Sequence, residues 1–233
     1  MKRTLIDLSH VVEHGMTTYP GLPAPEISDH LTRAASRDRY APGTEFHIGR
    51  IAMVANTGTY LDTPAHRYAD GFDLADLPLT AVADLTGVAI AATEQAVGPE
   101  LLSGIDVEGA AVLFATGWDR HWRTDRYGGL RHPFLTAAAA TRLVEAGATL
   151  VGIDSVNIDD TRGDERPAHS TLLAAGIPIV EHLTGLEQLV GRAFRFFAVP
   201  VKVRGMGTFP VRAFAACSLQ GGSPARTLSH PTE

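Results

Sequence analysis

The sequence predicts an α/β fold: a mixed sheet or barrel with its helices packed outside. Three observations lead there. Apolar and β-branched stretches of strand length recur along the chain. Helical patterns of roughly ten residues separate some of them, as in α/β folds. Other strand candidates follow one another with no room for a helical crossover, which argues against a purely parallel, doubly wound sheet.

Taken in order, the first long strand candidate covers residues 45–55. Pro42 and Gly43 punctuate the chain before it, and Gly49 inside it suggests a bulge or a close backbone approach. Further strands are expected at 87–92, 111–116, 149–153, 177–180 and 194–203. The clearest helix spans 136–146, with Thr136 as N-cap, an alanine-rich run behind it, and Gly147 where a left-handed C-cap is wanted. The strand at 149–153 then ends on Asp154. A second helix is expected from His169-Ser170-Thr171 to a stop at Gly176. Pro178 falls within the next strand, which favours a sheet edge or the strand's first residues.

The chain has 233 residues, without repeats or an interdomain linker, so 1–219 reads as a single domain and 220–233 as a mobile C-terminal tail. A net charge of −6 with scattered arginines argues against nucleic acid as a partner. One cysteine, Cys217 beside Phe214, Ala215 and Ala216, rules out an internal disulfide framework and a cysteine-based zinc site, and reads as a small core residue. The N-terminus lacks the apolar stretch of a signal peptide, and no apolar run is long enough to span a bilayer. A cytoplasmic enzyme acting on a small molecule, without membrane attachment, is the expectation.

The chemistry-bearing residues fall in two blocks. In the first, Thr57-Gly58-Thr59 supplies a turn, and Pro64 forbids an ordinary helix between Asp62 and His66. In an extended segment residues 60, 62, 64 and 66 project to one side, so Tyr60, Asp62 and His66 converge on one pocket. The residues alone leave a second reading open, a loop in which Asp62 caps backbone amides and His66 lies on the surface. In the second block, His169 falls at a helix start and Glu181 at a strand end, where open α/β sheets place ligands. An ionised glutamate after Ile177-Pro178-Ile179-Val180 is costly to bury unless paired, hydrogen-bonded or metal-bound. A salt bridge to an arginine is the plain alternative.

The frame of residues 56–66, Asn-Thr-Gly-Thr-Tyr-Leu-Asp-Thr-Pro-Ala-His, resembles His-x-Gly-Thr-His-x-Asp-x-Pro-x-His, the motif of the cyclase-like metal-dependent hydrolases, which include kynurenine formamidase and isatin hydrolase. Gly58, Thr59, Asp62, Pro64 and His66 match; Asn56 and Tyr60 stand where the motif has histidines. The likeness extends through Ile6-Asp7-Leu8-Ser9, Tyr19-Pro20-Gly21, Thr116-Gly117-Trp118, Gly152-Ile153-Asp154-Ser155 and Ile179-Val180-Glu181-His182-Leu183. It implies a swivelling β/β/α-like cyclase fold and a hydrolase of small amides, formamides, lactams or lactones, arylformamidase-like. Relatives are commonly homo-oligomers, so a homodimer or higher homo-oligomer is implied.

The resemblance also implies roles. Two motif histidines and the aspartate form one metal site in the relatives; the aspartate, the later histidine and the glutamate complete a second. The last motif histidine transfers protons. Carried over, Asp62, His169 and Glu181 are the metal candidates and His66 the acid/base, with Tyr60, Asp62 and Glu181 also catalytic. Asparagine and tyrosine are poor divalent-metal ligands, so the first site is expected to be lost. Two states stay open: one divalent ion, zinc or manganese, or a metal-free proton network in which Tyr60 donates. Tyr60 could equally steady an oxyanion or fill the volume of the missing ion. Tyr19, Phe46, Asn56 and Trp118 are the substrate-binding candidates, with Pro20 and Trp122 beside them. His47 reads as structural rather than as a replacement ligand. Asp154, Asn157, Asp159 and Asp160 read as a structural turn near the site, and Gly205-Met206-Gly207 is not a phosphate loop. The rival functions are a metal-independent cyclase or dehydratase of specialised metabolism and a degenerate, non-catalytic ligand-binding relative.

Overall fold

A computed structural model describes residues 3–218. The tail expected at 220–233 lies outside the described residues. The strands are β1 (Arg3–Asp7), β2 (Glu26–Leu31), β3 (Ile48–Ala52), β4 (Tyr60–Asp62), β5 (Leu85–Ala91), β6 (Ala96–Val97), β7 (Ala110–Ala115), β8 (Phe134–Leu135), β9 (Leu150–Ile153), β10 (Ile179–Glu181), β11 (Phe194–Phe197), β12 (Thr208–Pro210) and β13 (Phe214–Ser218). The helices are α1 (Arg33–Ser36), α2 (Ala137–Glu145) and α3 (Pro167–Ala174). Nine strands form one mixed sheet in the order β1-β13-β11-β5-β7-β9-β10-β4-β12. Its centre, β5-β7-β9-β10, is parallel and its flanks are antiparallel. The expected mixed sheet is therefore present.

Alternation along the central strands builds a core on each face. In β7, Ala111, Leu113 and Ala115 join Leu61, Val180 and Phe196 on one side, while Val112 and Phe114 join Ile153, Ile179 and the buried faces of α2 and α3 on the other. This is the period-2 signature of a strand buried on both faces. Thr136 caps α2 as expected, its Oγ accepting from Ala139 N at 3.2 Å. Gly147 takes the left-handed φ of 76° that ends the helix.

Several elements depart from the expectations. The candidate at 45–55 shortens to β3 and pairs with β2 in a separate two-stranded ribbon; the bulge lies across from Gly49, between Asp29 and Leu31. The candidate at 194–203 ends at Phe197. Helix α3 begins earlier than His169, because Pro167 suits the first helical position, where no N–H is needed. Pro178 precedes β10, which is an interior strand between β9 and β4. Its carbonyl, the one ladder group proline keeps, accepts from Val151 N at 3.1 Å. Among the described residues no helix is long and apolar enough to cross a membrane. Cys217 is buried in the core.

Candidate active site

Strand register brings the two blocks together. Strand β4 runs antiparallel to β10, pairing Tyr60 with Glu181 and Asp62 with Ile179; on its other side β12 sets Thr208 opposite Asp62. Paired residues share a face of the pleat. Because Leu61 and Val180 enter one core, Tyr60, Asp62 and Glu181 face the other side, where α3 carries His169. The extended arc holds only as far as Thr63. Pro64–His66 is a 3-10 turn, and it is this turn that swings His66 back beside Asp62. Gly207 makes the approach possible: a Cβ there would stand 2.2 Å from the His66 amide nitrogen. Within the Gly205-Met206-Gly207 stretch it is thus Gly207 that supports the site, by its lack of a side chain.

Asp62 is wholly buried and Glu181 and Tyr60 are 1% exposed, with His169 at 6%. Such groups need partners. Tyr60 Oη donates to Glu181 Oε2 at 2.6 Å, and Ile158 N donates to Glu181 Oε1 at 2.6 Å. Asp159 Oδ2 accepts from the His169 ring at Nδ1, 2.7 Å, while its carboxylate also accepts from the amides of Ala168 and His169 at the start of α3. His169 Nε2 is thereby aimed inward, 3.6 Å from Glu181 Oε1 and 3.8 Å from Asp62 Oδ2. Thr208 Oγ1 donates to Asp62 Oδ1 and accepts from His66 Nδ1 at 2.7 Å. This chain puts the proton of neutral His66 on Nδ1 and leaves Nε2 a lone pair.

The electrostatics follow from burial and crowding. Burial works against charge on His169, yet Glu181, Asp159 and Asp62 outweigh it and hold the imidazole well above its usual range. Burial pushes the Glu181 carboxyl up, with Asp62 adding to the rise and His169 opposing it. The Tyr60 phenol is driven far above its ordinary value by burial and by the carboxylates of Glu181 and Asp62, so it stays a proton donor.

A divalent ion has an identifiable place here. Asp62 Oδ2 is buried with no hydrogen-bond partner, an unpaired group that calls for a cation. Donor atoms of Asp62, His66 and His169 lie within 4.8 Å of one another, the one such group among the described residues. The Asp159–His169 pair is the outer support that metal-bound imidazoles ordinarily have. The donor set of Asp62, His66 and His169 therefore fits one ion, and Glu181, expected as a ligand, lies beside it with one protein donor on each oxygen.

Tyr60, His66, His169 and Glu181 line a cavity of about 380 Å³, which wholly buried Asp62 does not itself reach. Tyr19 and Asn56, two of the substrate-binding candidates, lie on its wall, as does Asn157 of the acidic loop. Phe46 and Trp118 do not. Phe46 is 51% exposed near the β2–β3 ribbon, edge-on to Tyr40. Trp118 is buried with Tyr127 and Val156 behind Tyr19, which packs against them, and its indole N–H donates to the Tyr127 carbonyl. His47 pairs with Asp29 on the exposed ribbon, far from ligand duty. The sequence reading missed Thr208 and the specific task of Asp159. An acid ten residues ahead of a helical histidine was a usable signal for Asp159; nothing local marks Thr208, which arrives through sheet register alone.

The cyclase family, described as "Putative cyclase", matches this chain over residues 6–160. A kynurenine formamidase of Salinibacter ruber is 30% identical over 215 residues, covering 90% of this chain and 95% of that protein. A kynurenine formamidase of Bacillus cytotoxicus is 26% identical over 213 residues, covering 89% and 95%. Among solved structures, isatin hydrolase A from Labrenzia aggregata bound to benzyl benzoate superposes with a TM-score of 0.78 at 22% identity, over 92% of this chain and 94% of that one. "The Structure Of Potential Metal-Dependent Hydrolase With Cyclase Activity" gives 0.76 at 23%, over 93% and 99%. At those identities the structural likeness speaks for the fold.

Proposed function

This chain belongs to the cyclase family, and on that premise we propose that it is an arylformamidase-like hydrolase that cleaves an amide, formamide, lactam or lactone of a small molecule. The observation that carries the proposal is that His66, His169, Glu181 and Tyr60 line one cavity while buried Asp62 brings a donor atom within 4.8 Å of those of both histidines. In this reading Asp62, His66 and His169 hold one zinc or manganese ion. Such an ion, when bound, supplies Lewis acidity toward the carbonyl and the attacking water.

The chain's own groups do the rest. Glu181, its pKa raised by burial, takes a proton from water as the water oxygen bonds to the carbonyl carbon. Asn56, beside Tyr60 on the cavity wall, offers an N–H to the carbonyl oxygen as charge develops there. Glu181 then passes the proton to the leaving nitrogen or oxygen as the acyl bond breaks. Tyr60 holds Glu181 in place throughout and, being protonated, limits how much negative charge gathers there. A metal-independent cyclase or dehydratase, like a non-catalytic relative, leaves the unpartnered Asp62 oxygen without a purpose.

The reading includes a cytoplasmic enzyme working as at least a homodimer. The β2–β3 ribbon supports the latter: Ile27 and Ile51 face each other across it and are 43% and 49% exposed. Assay of metal-supplemented protein with N-formylkynurenine, other aryl formamides and a panel of lactams and lactones tests the activity. Turnover of at least one acyl compound, lost in Glu181→Gln, is expected; no turnover across the panel would overturn the hydrolase reading.

A further inference from the structure

Tyr60, His169 and Glu181 are buried groups of the cavity wall, and two arginines more exposed than these share that wall. Arg67 and Arg166 both line this cavity, and both also line an adjoining surface cavity of about 550 Å³. They therefore sit where the two spaces meet. Arg67 follows His66 directly and is exposed; its Nε donates to Ser170 Oγ at 3.3 Å, and its guanidinium lies 5.7 Å over the Tyr68 ring. Arg166 is half-buried at the start of α3, and its Nη1 donates to three backbone carbonyls, those of Asp160, Gly163 and Glu165. Both side chains are thus tied down by neutral groups.

Neither has an acidic partner within 4.0 Å among the described residues, whereas Arg162 nearby is paired with Asp160. Asp164 and Glu165 edge the outer cavity but form no ion pair with either arginine. Arg166 also acts on the cavity wall, its charge countering part of the rise that burial and Glu181 impose on the Tyr19 phenol. The site is consequently polarised, with the buried carboxylates of Asp62 and Glu181 among the catalytic groups and two guanidiniums without acidic partners where the cavity meets its neighbour. A substrate anion would be repelled from the first and held by the second, so its charge would decide which end of the substrate enters.

We propose that Arg67 and Arg166 recognise an anionic group of the substrate, a carboxylate carried on the side away from the scissile carbonyl. The inference rests on the hydrolase reading for the orientation of the substrate, and on Arg67 and Arg166 alone for its charge.

The test uses matched probes. Calorimetry compares 4-aminobenzoate with 4-aminobenzamide, on the full chain both as purified and after chelator treatment; turnover compares 4-formamidobenzoate with 4-formamidobenzamide, whose acid or amide group lies across the ring from the formyl group, in the presence of zinc or manganese. The acid is expected to bind about 30-fold more tightly than the amide, as one or two charge-assisted hydrogen bonds imply. That preference should shrink as ionic strength rises, and it should fall to within about 3-fold in Arg67→Ala and Arg166→Gln, the residual expected when one charge-assisted contact is removed. The salt arm needs no variant, so a misfolded protein cannot mask the answer. Equal affinities for the two probes would overturn the proposal. So would a preference that survives in both variants, or one that vanishes on chelation, since the anion would then be binding an ion. Failure to hydrolyse either formyl compound would count against the hydrolase reading, while the calorimetric ratio would still decide the arginine site.

Discussion

Replacing Tyr60 by Phe removes a single oxygen from a fully buried position. That oxygen donates to Glu181 Oε2 at 2.6 Å, and the other carboxylate oxygen has Ile158 N. Loss of a hydrogen bond to a charged, buried acceptor costs about 1.5–3 kcal/mol. For a chain of this size that corresponds to a Tm lower by roughly 3–12 °C. The cost has a pH dependence whose sign is fixed. The Tyr60 hydroxyl favours ionised Glu181, so its removal raises the folded-state pKa of Glu181 further. The variant can then escape part of the penalty by protonating Glu181, which is easier at low pH. Destabilisation is therefore smaller at pH 6 than at pH 8. Glu181→Gln tests the same bond from the other side, because an amide offers one acceptor oxygen to two protein donors. In a double-mutant cycle the two substitutions should be less than additive by about 1–2 kcal/mol. Urea unfolding of chelator-treated protein at both pH values measures all four species. A Tyr60→Phe protein as stable as the parent at pH 8, with additive effects in the cycle, would refute the argument.

Asp159→Asn keeps a side-chain oxygen for the α3 amides but weakens the support behind His169 Nδ1; zinc affinity measured against a competing chelator should fall about 10–100-fold, the usual cost of losing such a partner, and an unchanged affinity would remove Asp159 from the account. Burial, with His10 and His132 adding to it, holds His182 down to about 3, so the unfolded chain binds the extra proton between that value and an ordinary pKa of about 6.5. Stability from this residue is complete above the upper value and is lost as pH falls through the window; urea midpoints should drop on acidification, and His182→Asn, which tolerates the left-handed φ of 57°, should flatten that slope. Ile27→Lys with Ile51→Glu should lower the mass seen by light scattering to that of a monomer if the β2–β3 ribbon joins two copies; an unchanged mass would move the interface elsewhere.

The central strands were legible because burial on both faces leaves continuous apolar runs, as at 110–115 and 150–153, and α2 because its cap and its terminal glycine are local signals. The face shared by Tyr60 and Asp62 followed from the two-residue period of a strand, a rule that needs no tertiary information. What could not be read was pairing. β12 is three residues of ordinary sequence, and only its register against β4 makes Thr208 the link between Asp62 and His66. Strand β3 lay within the expected 45–55 stretch, but its partner β2 was equally hidden, since Glu26–Leu31 mixes an exposed isoleucine with charged residues and buries only Leu31. His66 illustrates the limit of periodicity: the extended pattern pointed it to the correct pocket, while a 3-10 turn is what delivers it there. Trp118 failed for the converse reason, because a residue at a strand end belongs to the site only if its side chain turns inward, and that is decided by packing with Tyr127.

The most direct measurement is a calorimetric titration of chelator-treated protein with zinc and with manganese, run alongside His169→Ala and Asp62→Asn. One site per chain for at least one of the two ions, lost or severely weakened in both variants, is the result required by a cavity in which Asp62, His66 and His169 hold a single ion. Two sites per chain, no site, or one that both variants retain would contradict it.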